Sequence, residues 1–153
     1  MPRILLAEDD DSLRGFLTRA LERAGYEVTA CADGEAAAAV LGEAWDLLLT
    51  DIVMPGMDGI EVARLAAQRH PGLRIMFITG FAAVALTVGE RAPAGAKVLS
   101  KPIHLREIVA EVERMMAAQD PAAQGDRGRP TRILGPRCST RLYLRLHFRR
   151  RPR

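Results

Sequence analysis

Five short apolar segments recur along the first 118 residues of the chain, and they limit the possible folds most strongly. They cover residues 3–7, 26–30, 46–50, 74–78 and 96–100. Contiguous apolar runs of this length are typical of strands that are buried on both faces of a sheet. Helical patterns separate and follow them, over residues 12–24, 34–44, 59–69 and 103–118, with a short helix expected within 82–95. The alternation predicts an α/β fold with a doubly wound, five-stranded parallel sheet.

The first predicted helix has one apolar face. Its members recur at helical spacing and are Leu13, Phe16, Leu17, Ala20, Leu21 and Ala24. We expect Asp11 or Ser12 to cap this helix, because a short side-chain oxygen can accept a hydrogen bond from the first turn. Trp45 and Phe77 are predicted core residues, and Cys31 a small buried one.

The charge of the chain divides at residue 119. Residues 1–118 contain 12 basic and 17 acidic residues, a net charge of −5, whereas residues 119–153 contain ten arginines, no lysine and two aspartates, a net charge of +8. Recurrent glycine and proline in the second part argue against a packed continuation. We predict one domain over residues 1–118 and an Arg-rich disordered tail over residues 119–153.

Composition excludes several classes of protein. The two cysteines, Cys31 and Cys138, lie far apart without a metal-binding spacing, so neither a disulfide scaffold nor a zinc site is indicated. The longest uncharged run, residues 75–89, has 15 residues, and a membrane-spanning helix needs about 20. We expect a protein of the reducing cytoplasm that has no membrane partner.

Polar side chains with chemical potential lie where the predicted strands end. They are Glu8, Asp9, Asp10, Asp51, Thr79 and Lys101. The carboxyl ends of parallel strands line the crevice in which such sheets bind ligands. Converging carboxylates repel one another unless a hard cation binds, and oxygen ligands favour Mg²⁺ over zinc. A lysine and a hydroxyl beside them can bind a phosphoryl group, and a carboxylate can act as its acceptor.

Four motifs at these strand ends resemble the receiver domain of two-component response regulators. They are Glu8-Asp9-Asp10, the segment from Asp51 to Gly59, Thr79-Gly80 and Lys101-Pro102. Each motif alone is weak evidence, but four in order over residues 2–117 are specific. The resemblance implies the CheY-like, flavodoxin-like form of the α/β fold.

The resemblance also implies a role for each matching residue. Asp51 would be the phosphoacceptor, and Thr79 and Lys101 would bind the phosphoryl group. Mg²⁺ is the one implied cofactor, and its ligands would be Glu8 through water, Asp9, Asp51 and the backbone carbonyl of Val53. Asp10 stays a flanking acid, and the Lys101–Pro102 peptide bond is expected to be cis.

Val98 departs from the family pattern, which has an aromatic residue three positions before the lysine. The family's coupling of the hydroxyl to an aromatic side chain therefore does not transfer, and another element must carry the signal.

Residues 81–88 contain no charge, and a helix there would expose apolar surface unless a partner covers it. We expect a protein-binding surface formed by Phe81, Val84, Leu86, Val88 and Val98. The alternative is that the three aliphatic residues of 81–88 pack inward.

The amino-acid sequences of residues 5–11, 47–55 and 76–86 more closely resemble those of stand-alone receivers of the alphaproteobacterial cell cycle. This implies a histidine kinase or histidine phosphotransferase as phosphodonor. It also implies phosphorylation-dependent protein binding as the output, with the chain acting as an adaptor that primes the ClpXP protease for its substrates. Self-phosphotransfer and autodephosphorylation would be its only chemistry, so we do not class it as an enzyme.

Two alternatives come from other classes of protein. Residues 141–149 alternate apolar and polar side chains, so the tail could pair with a sheet edge or bind nucleic-acid phosphates and deliver the output. It could equally be a read-through or frameshifted extension without a selected role, which is the interpretation we favour. An aspartyl-nucleophile phosphatase is disfavoured because Val53, not an acid, stands two residues after Asp51.

Overall fold

The computed structural model describes residues 1–80 and 91–118. Within these residues the chain forms five strands and four helices. They are β1 (Arg3–Ala7), α1 (Asp11–Arg23), β2 (Glu27–Cys31), α2 (Gly34–Ala39), β3 (Leu47–Asp51), α3 (Gly59–Arg69), β4 (Arg74–Thr79), β5 (Lys97–Ser100) and α4 (Leu105–Ala117). The predicted α/β fold is confirmed for the part of the chain described.

The strands form one parallel sheet in the order β2-β1-β3-β4-β5. From β1 the chain first steps outward to β2 and then crosses back to β3, so the strand order reverses between β1 and β3. Ala7 pairs with Thr50, and Asp51 pairs with Ile78. This register brings the ends of β1, β3 and β4 to one level, where the crevice of such a sheet lies.

The core consists of two apolar layers, one on each face of the sheet. Alternate residues of the strands point to opposite faces, as in Leu5 and Leu6 of β1. One layer packs against α2 and α3, and the other against α1 and α4. Full burial of each large aliphatic side chain stabilises the fold by roughly 1.5–3 kcal/mol. The predicted core residues Trp45, Phe77 and Cys31 are all buried.

Three aspartates cap the helices that begin at the carboxyl end of the sheet. Asp10, Asp33 and Asp58 precede α1, α2 and α3. Each carboxylate accepts a hydrogen bond from the backbone N–H three residues later, at 2.7–2.9 Å. Such a cap stabilises a helix by about 1 kcal/mol. The prediction of Asp11 or Ser12 as the cap of α1 was wrong by one residue, because α1 already begins at Asp11.

Phe16 does not join the inward face of α1, contrary to the prediction. Leu17 and Leu21 are the buried residues of this helix, whereas Phe16 is 51% exposed. The inward face is centred on the two leucines, and Phe16 lies about 100° from Leu17 around the helix axis. Its ring contacts the Arg19 guanidinium, 5.4 Å from the ring centroid. The phenylalanine therefore belongs to the surface of α1.

Helix α2 is shorter than predicted. It ends at Ala39, with Val40 as its C-cap, whereas the alanine-rich sequence predicted helix to residue 44. The backbone N–H of Val40 donates to the Ala37 carbonyl at 3.2 Å, which tightens the last turn. The Val40 carbonyl then accepts the indole N–H of Trp45 at 2.9 Å. A buried tryptophan therefore uses the carbonyl at which α2 ends.

Candidate functional site

Glu8 lies directly after β1 and is 1% exposed. Its backbone N–H donates to the Cys31 carbonyl at the end of β2, at 3.1 Å. Its carbonyl accepts a hydrogen bond from Nη1 of Arg14 on α1, at 2.9 Å. Hydrogen bonds to a strand and to a helix thus hold the residue between them. The Glu8 carboxylate is presented from a rigid position at the sheet end.

Glu8, Asp9 and Asp51 form an acidic cluster. One carboxylate oxygen from each lies within 4.8 Å of the others. Glu8 and Asp51 are buried, whereas Asp9 is exposed. Asp51 is the last residue of β3, a strand that is buried along its whole length. The structure therefore brings together three of the acids that the sequence predicted to converge.

Lys101 is the cation of this cluster. Its Nζ lies 3.1 Å from Oδ2 of Asp51 and 3.5 Å from Oε2 of Glu8. Burial lowers the pKa of Lys101, but the negative charges of Asp51 and Glu8 outweigh burial, so the pKa is raised overall. The lysine is therefore held in its charged form between the two buried acids. Among the described ion pairs, the ammonium thus contacts two of the three carboxylates of the cluster.

The crowding of charge is visible in Glu8. Burial and then the negative charge of Asp51 raise its pKa from 4.5 to about 7. The hydrogen bond from the Asp10 backbone N–H to Oε1 of Glu8, at 3.2 Å, and the charge of Lys101 oppose that rise. Without a further cation, Glu8 therefore keeps its proton at pH values well above those at which a glutamate usually loses it.

Thr79 and Lys101 are joined through the backbone. Thr79 is the last residue of β4 and is fully buried. Its carbonyl accepts the backbone N–H of Lys101 at 2.7 Å. The Lys101–Pro102 peptide bond is cis, as the family resemblance implied. The predicted hydroxyl therefore lies at the end of β4, and the predicted lysine directly follows the neighbouring strand β5.

The loop after β3, residues 53–58, carries the remaining predicted metal ligand. Val53 is 45% exposed, and Met54 beside it is buried. Asp58 ends the loop as the cap of α3. The assignment of the Val53 carbonyl as a ligand stays a prediction, as do the roles of Asp51, Thr79 and Lys101 in phosphoryl binding.

The chemistry of the acidic cluster suits a hard divalent cation. All three side chains offer oxygen, which Mg²⁺ and Ca²⁺ prefer, and none offers the sulfur or imidazole nitrogen typical of zinc sites. An ion among these oxygens would also replace the proton of Glu8 and offset the excess negative charge. The residues present therefore fit the magnesium ion that the sequence predicted.

Two contacts near the site were not predicted from the sequence. Asp10 caps α1 and donates its backbone N–H to Glu8, whereas the sequence left it as a flanking acid. Glu35 of α2 accepts the backbone N–H of Met57 in the loop after β3, at 2.8 Å. These two residues are 22 positions apart in the chain, and no local pattern links them.

Most of the predicted partner surface lies outside the described residues. This holds for Phe81, Val84, Leu86 and Val88, and for the whole tail of residues 119–153. Val98 is on β5, pairs with Phe77 of β4, and is partly buried against the core layer below α2 and α3. The partner surface, the disordered tail and its use in nucleic-acid binding stay predictions. Among the described residues, no helix has the length and apolar character required to cross a membrane.

Comparison with protein families gives one match over most of the chain. The model of the response regulator receiver domain matches residues 4–113. The chain is also 60% identical over 119 residues to the response regulator receiver protein CpdR of Brucella abortus (strain 2308). That alignment covers 77% of this chain and 99% of the relative.

Solved structures agree with the sequence match. A response regulator receiver protein from Sinorhizobium medicae WSM419 has a TM-score of 0.73 at 32% identity, covering 78% of this chain and 97% of its own. The response regulator TrrA from Thermotoga maritima, solved in complex with Mg²⁺ and BeF, has a TM-score of 0.67 at 26% identity. That match covers 75% of this chain and 99% of TrrA.

Proposed function

The chain belongs to the response regulator receiver family, and we propose that it accepts a phosphoryl group on Asp51 from a histidine kinase or histidine phosphotransferase. One observation carries the proposal. The Asp51 carboxylate is buried at the end of a central strand, within 3.1 Å of Lys101 and inside an acidic cluster. Two buried carboxylates and a third at their edge converge on one lysine, and groups with perturbed protonation of this kind are concentrated at functional sites.

The proposed step transfers a phosphoryl group from a phosphohistidine to Asp51. A carboxylate oxygen of Asp51 forms a bond to phosphorus while the bond from phosphorus to the donor's imidazole nitrogen breaks, and the imidazole takes up a proton. The Lys101 ammonium and the Thr79 hydroxyl would donate hydrogen bonds to the phosphoryl oxygens. Hydrolysis of the acyl phosphate would restore the carboxylate and release inorganic phosphate.

Glu8, Asp9 and Asp51, with the carbonyl of Val53, would hold the Mg²⁺ ion. The fit of three carboxylate oxygens within 4.8 Å supports this part of the proposal, as does the Mg²⁺ complex of the Thermotoga relative. When bound, Mg²⁺ offsets the negative charge of the phosphoryl group and the carboxylates. Lys101 would then be drawn less strongly to the acids and could contact the phosphoryl group.

Phosphorylation of the purified full chain by acetyl phosphate tests the proposal. With Mg²⁺, we expect intact-mass spectrometry to show one added phosphoryl group on the wild type and none on Asp51→Asn. Asp46→Asn is the matched control, because it makes the same chemical change just before the start of β3. Chelation of Mg²⁺ should prevent the reaction. Phosphorylation of Asp51→Asn at the wild-type level would overturn the assignment.

At a finer level, we propose that the output is protein binding and that the chain is an adaptor for the ClpXP protease. The proposal rests on the sequence resemblance, which spans 99% of the length of CpdR. Binding of purified ClpX to the phosphorylated and unphosphorylated chain would test it. We expect the unphosphorylated form to bind at least severalfold more tightly. Equal binding, or no binding by either form, would exclude this output and leave the phosphotransfer proposal intact.

A further inference from the structure

The loop of residues 53–58 is fastened at its base by the backbone. The N–H of Gly59 donates to the Ile52 carbonyl at 2.8 Å, which closes the loop. Gly59 also lies so close to the carbonyl of Asp51 that a Cβ atom at this position would overlap it. The base of the loop therefore adjoins the proposed phosphoacceptor and leaves no space for a side chain.

The far side of the loop is fastened by α2. The carboxylate Oε1 of Glu35 accepts the backbone N–H of Met57 at 2.8 Å. Gly56 has a φ of +74°, and a Cβ atom added to it would overlap the Glu35 carboxylate. A Cβ atom on Gly34 would likewise overlap the Met57 carbonyl. Two glycines thus allow the loop and the beginning of α2 to meet, and Glu35 provides the polar contact between them.

We infer that Glu35 is a positioning residue for this loop, acting through Met57 on the Val53 carbonyl and on the acids at the loop's base. The inference rests on the metal-binding part of the proposed function, because the loop matters only if its carbonyl and the acids at its base hold the ion. Glu35 is exposed and lies outside the acidic cluster of Glu8, Asp9 and Asp51. It therefore acts through the backbone of the loop and does not touch the reacting atoms.

The role requires an acceptor oxygen at the right distance, and the negative charge is secondary. Glutamine retains an oxygen at the same distance, aspartate is one methylene shorter, and alanine has no acceptor. The order of effects among Glu35→Gln, Glu35→Asp and Glu35→Ala therefore separates a tether from a charge effect. Glu61→Ala is the matched control, because Glu61 is an exposed glutamate in the first turn of α3.

The test measures the dissociation constant of Mg²⁺ by calorimetry on the full chain, with the rate of phosphoryl uptake and the unfolding free energy of each variant beside it. We expect Glu35→Ala and Glu35→Asp to weaken Mg²⁺ binding about fivefold, the effect of losing one net hydrogen bond. Glu35→Gln and Glu61→Ala should stay within about twofold of the wild type, as expected for surface changes that retain the loop contact.

Several outcomes would overturn the inference. If Glu35→Gln weakened Mg²⁺ binding as much as Glu35→Ala, the charge and not the tether would be responsible. If Glu35→Ala lowered stability but left the dissociation constant unchanged, Glu35 would be a structural residue only. Calorimetry also separates this inference from the proposed function. A fivefold effect on Mg²⁺ without phosphoryl uptake in the wild type would retain the positioning role and reject the phosphoacceptor.

Discussion

The two ends of the sheet treat charge in opposite ways. At the amino end, the Arg3 guanidinium lies 3.4 Å from Glu27 and 3.3 Å from Glu43. It also donates to the Ala44 carbonyl at 2.9 Å and stacks 4.4 Å from the centroid of the Trp45 ring. Each of these contacts pairs a cation with an acceptor or an aromatic face. The amino end is arranged for stability.

At the carboxyl end, three carboxylates converge and Lys101 is the cation within contact distance of two of them. The result is excess negative charge in a largely buried place, which raises the pKa of Glu8 to about 7. Side chains with strongly perturbed pKa values are concentrated at functional sites. The same sheet therefore has stabilising charge pairs at the amino end of its strands and the candidate reactive groups at the carboxyl end.

Gly59→Ala should have the largest effect on stability, because the new Cβ atom would collide with the backbone carbonyl of Asp51. We expect a loss of about 3 kcal/mol in the free energy of unfolding, measured by urea denaturation. Gly15→Ala in α1 is the control. Its Cβ atom would meet Arg19 at an ordinary 3.6 Å, and replacing a helical glycine should add roughly 0.5–1 kcal/mol. Equal stability of the two variants would contradict the tight packing behind Asp51.

Glu8→Gln tests the excess negative charge at the carboxyl end through the pH dependence of stability. The pKa of Glu8 is about 7 in the folded protein and ordinarily 4.5, so the unfolded chain loses this proton first as pH rises. Stability contributed by the protonated form is complete below pH 4.5 and is lost as pH rises through about 7. One pKa unit corresponds to about 1.4 kcal/mol. As pH rises from 4.5 to about 8, the free energy of unfolding of Glu8→Gln should therefore increase relative to that of the wild type by at most about 3 kcal/mol.

The measurement for Glu8→Gln is denaturant unfolding at several pH values without divalent cations. A constant difference between Glu8→Gln and the wild type across this range would show that Glu8 is not under electrostatic strain. Addition of Mg²⁺ should favour the wild type, because the glutamine amide is a poorer ligand for the ion.

Arg3→Ala should affect stability alone. We expect a loss of about 1–2 kcal/mol from the contacts with Trp45, the Ala44 carbonyl and two acids, because the side chain is partly exposed and its ion pairs are weakened by solvent. The rate of phosphoryl uptake should equal that of the wild type. A changed rate, in a variant that remains folded, would break the proposed division between the two ends of the sheet.

Asp10→Ala should have the smallest effect and distinguishes a cap from a ligand. Loss of the hydrogen bond to the Leu13 N–H should cost about 1 kcal/mol, similar to Asp33→Ala at the cap of α2. Asp10→Asn retains the acceptor and should be close to the wild type in stability. Neither variant should change the Mg²⁺ dissociation constant. A large change in that constant would instead make Asp10 a member of the metal site.

The strands and their terminal acids were predictable because the information is local. A strand that is buried on both faces requires an uninterrupted apolar run, so Leu47 to Leu49 could be assigned without knowledge of the neighbouring strands. The acid at the end of such a run then lies at the crevice for topological reasons. Glu8, Asp51, Thr79 and Lys101 were all placed at strand ends in this way, and the family resemblance added the roles proposed for them.

The predictions that were wrong or missing depend on the rotation of a helix about its axis and on contacts between residues far apart in the chain. Spacing of three and four residues shows that α1 has an apolar face but does not give its centre, so Phe16 was placed inside. Any of several adjacent acids can serve as a cap. The cap is Asp10 because its backbone is extended and the helix begins at the next residue. The contact of Glu35 with Met57 joins residues that are 22 positions apart, and it depends on how α2 and the loop pack in three dimensions.

The position of Asp51 has a consequence for how a signal would leave the site. β3 is paired on both sides, with β1 and β4, and every residue in it is buried. Amide hydrogens in such a strand exchange with solvent only through global unfolding, so phosphorylation should leave their exchange pattern unchanged. β5 lies at the edge of the sheet beside β4 and is partly exposed. Altered amide protection after phosphorylation should therefore appear in β5 and in the loop of residues 53–58, while β3, the strand of the proposed phosphoacceptor, remains unchanged.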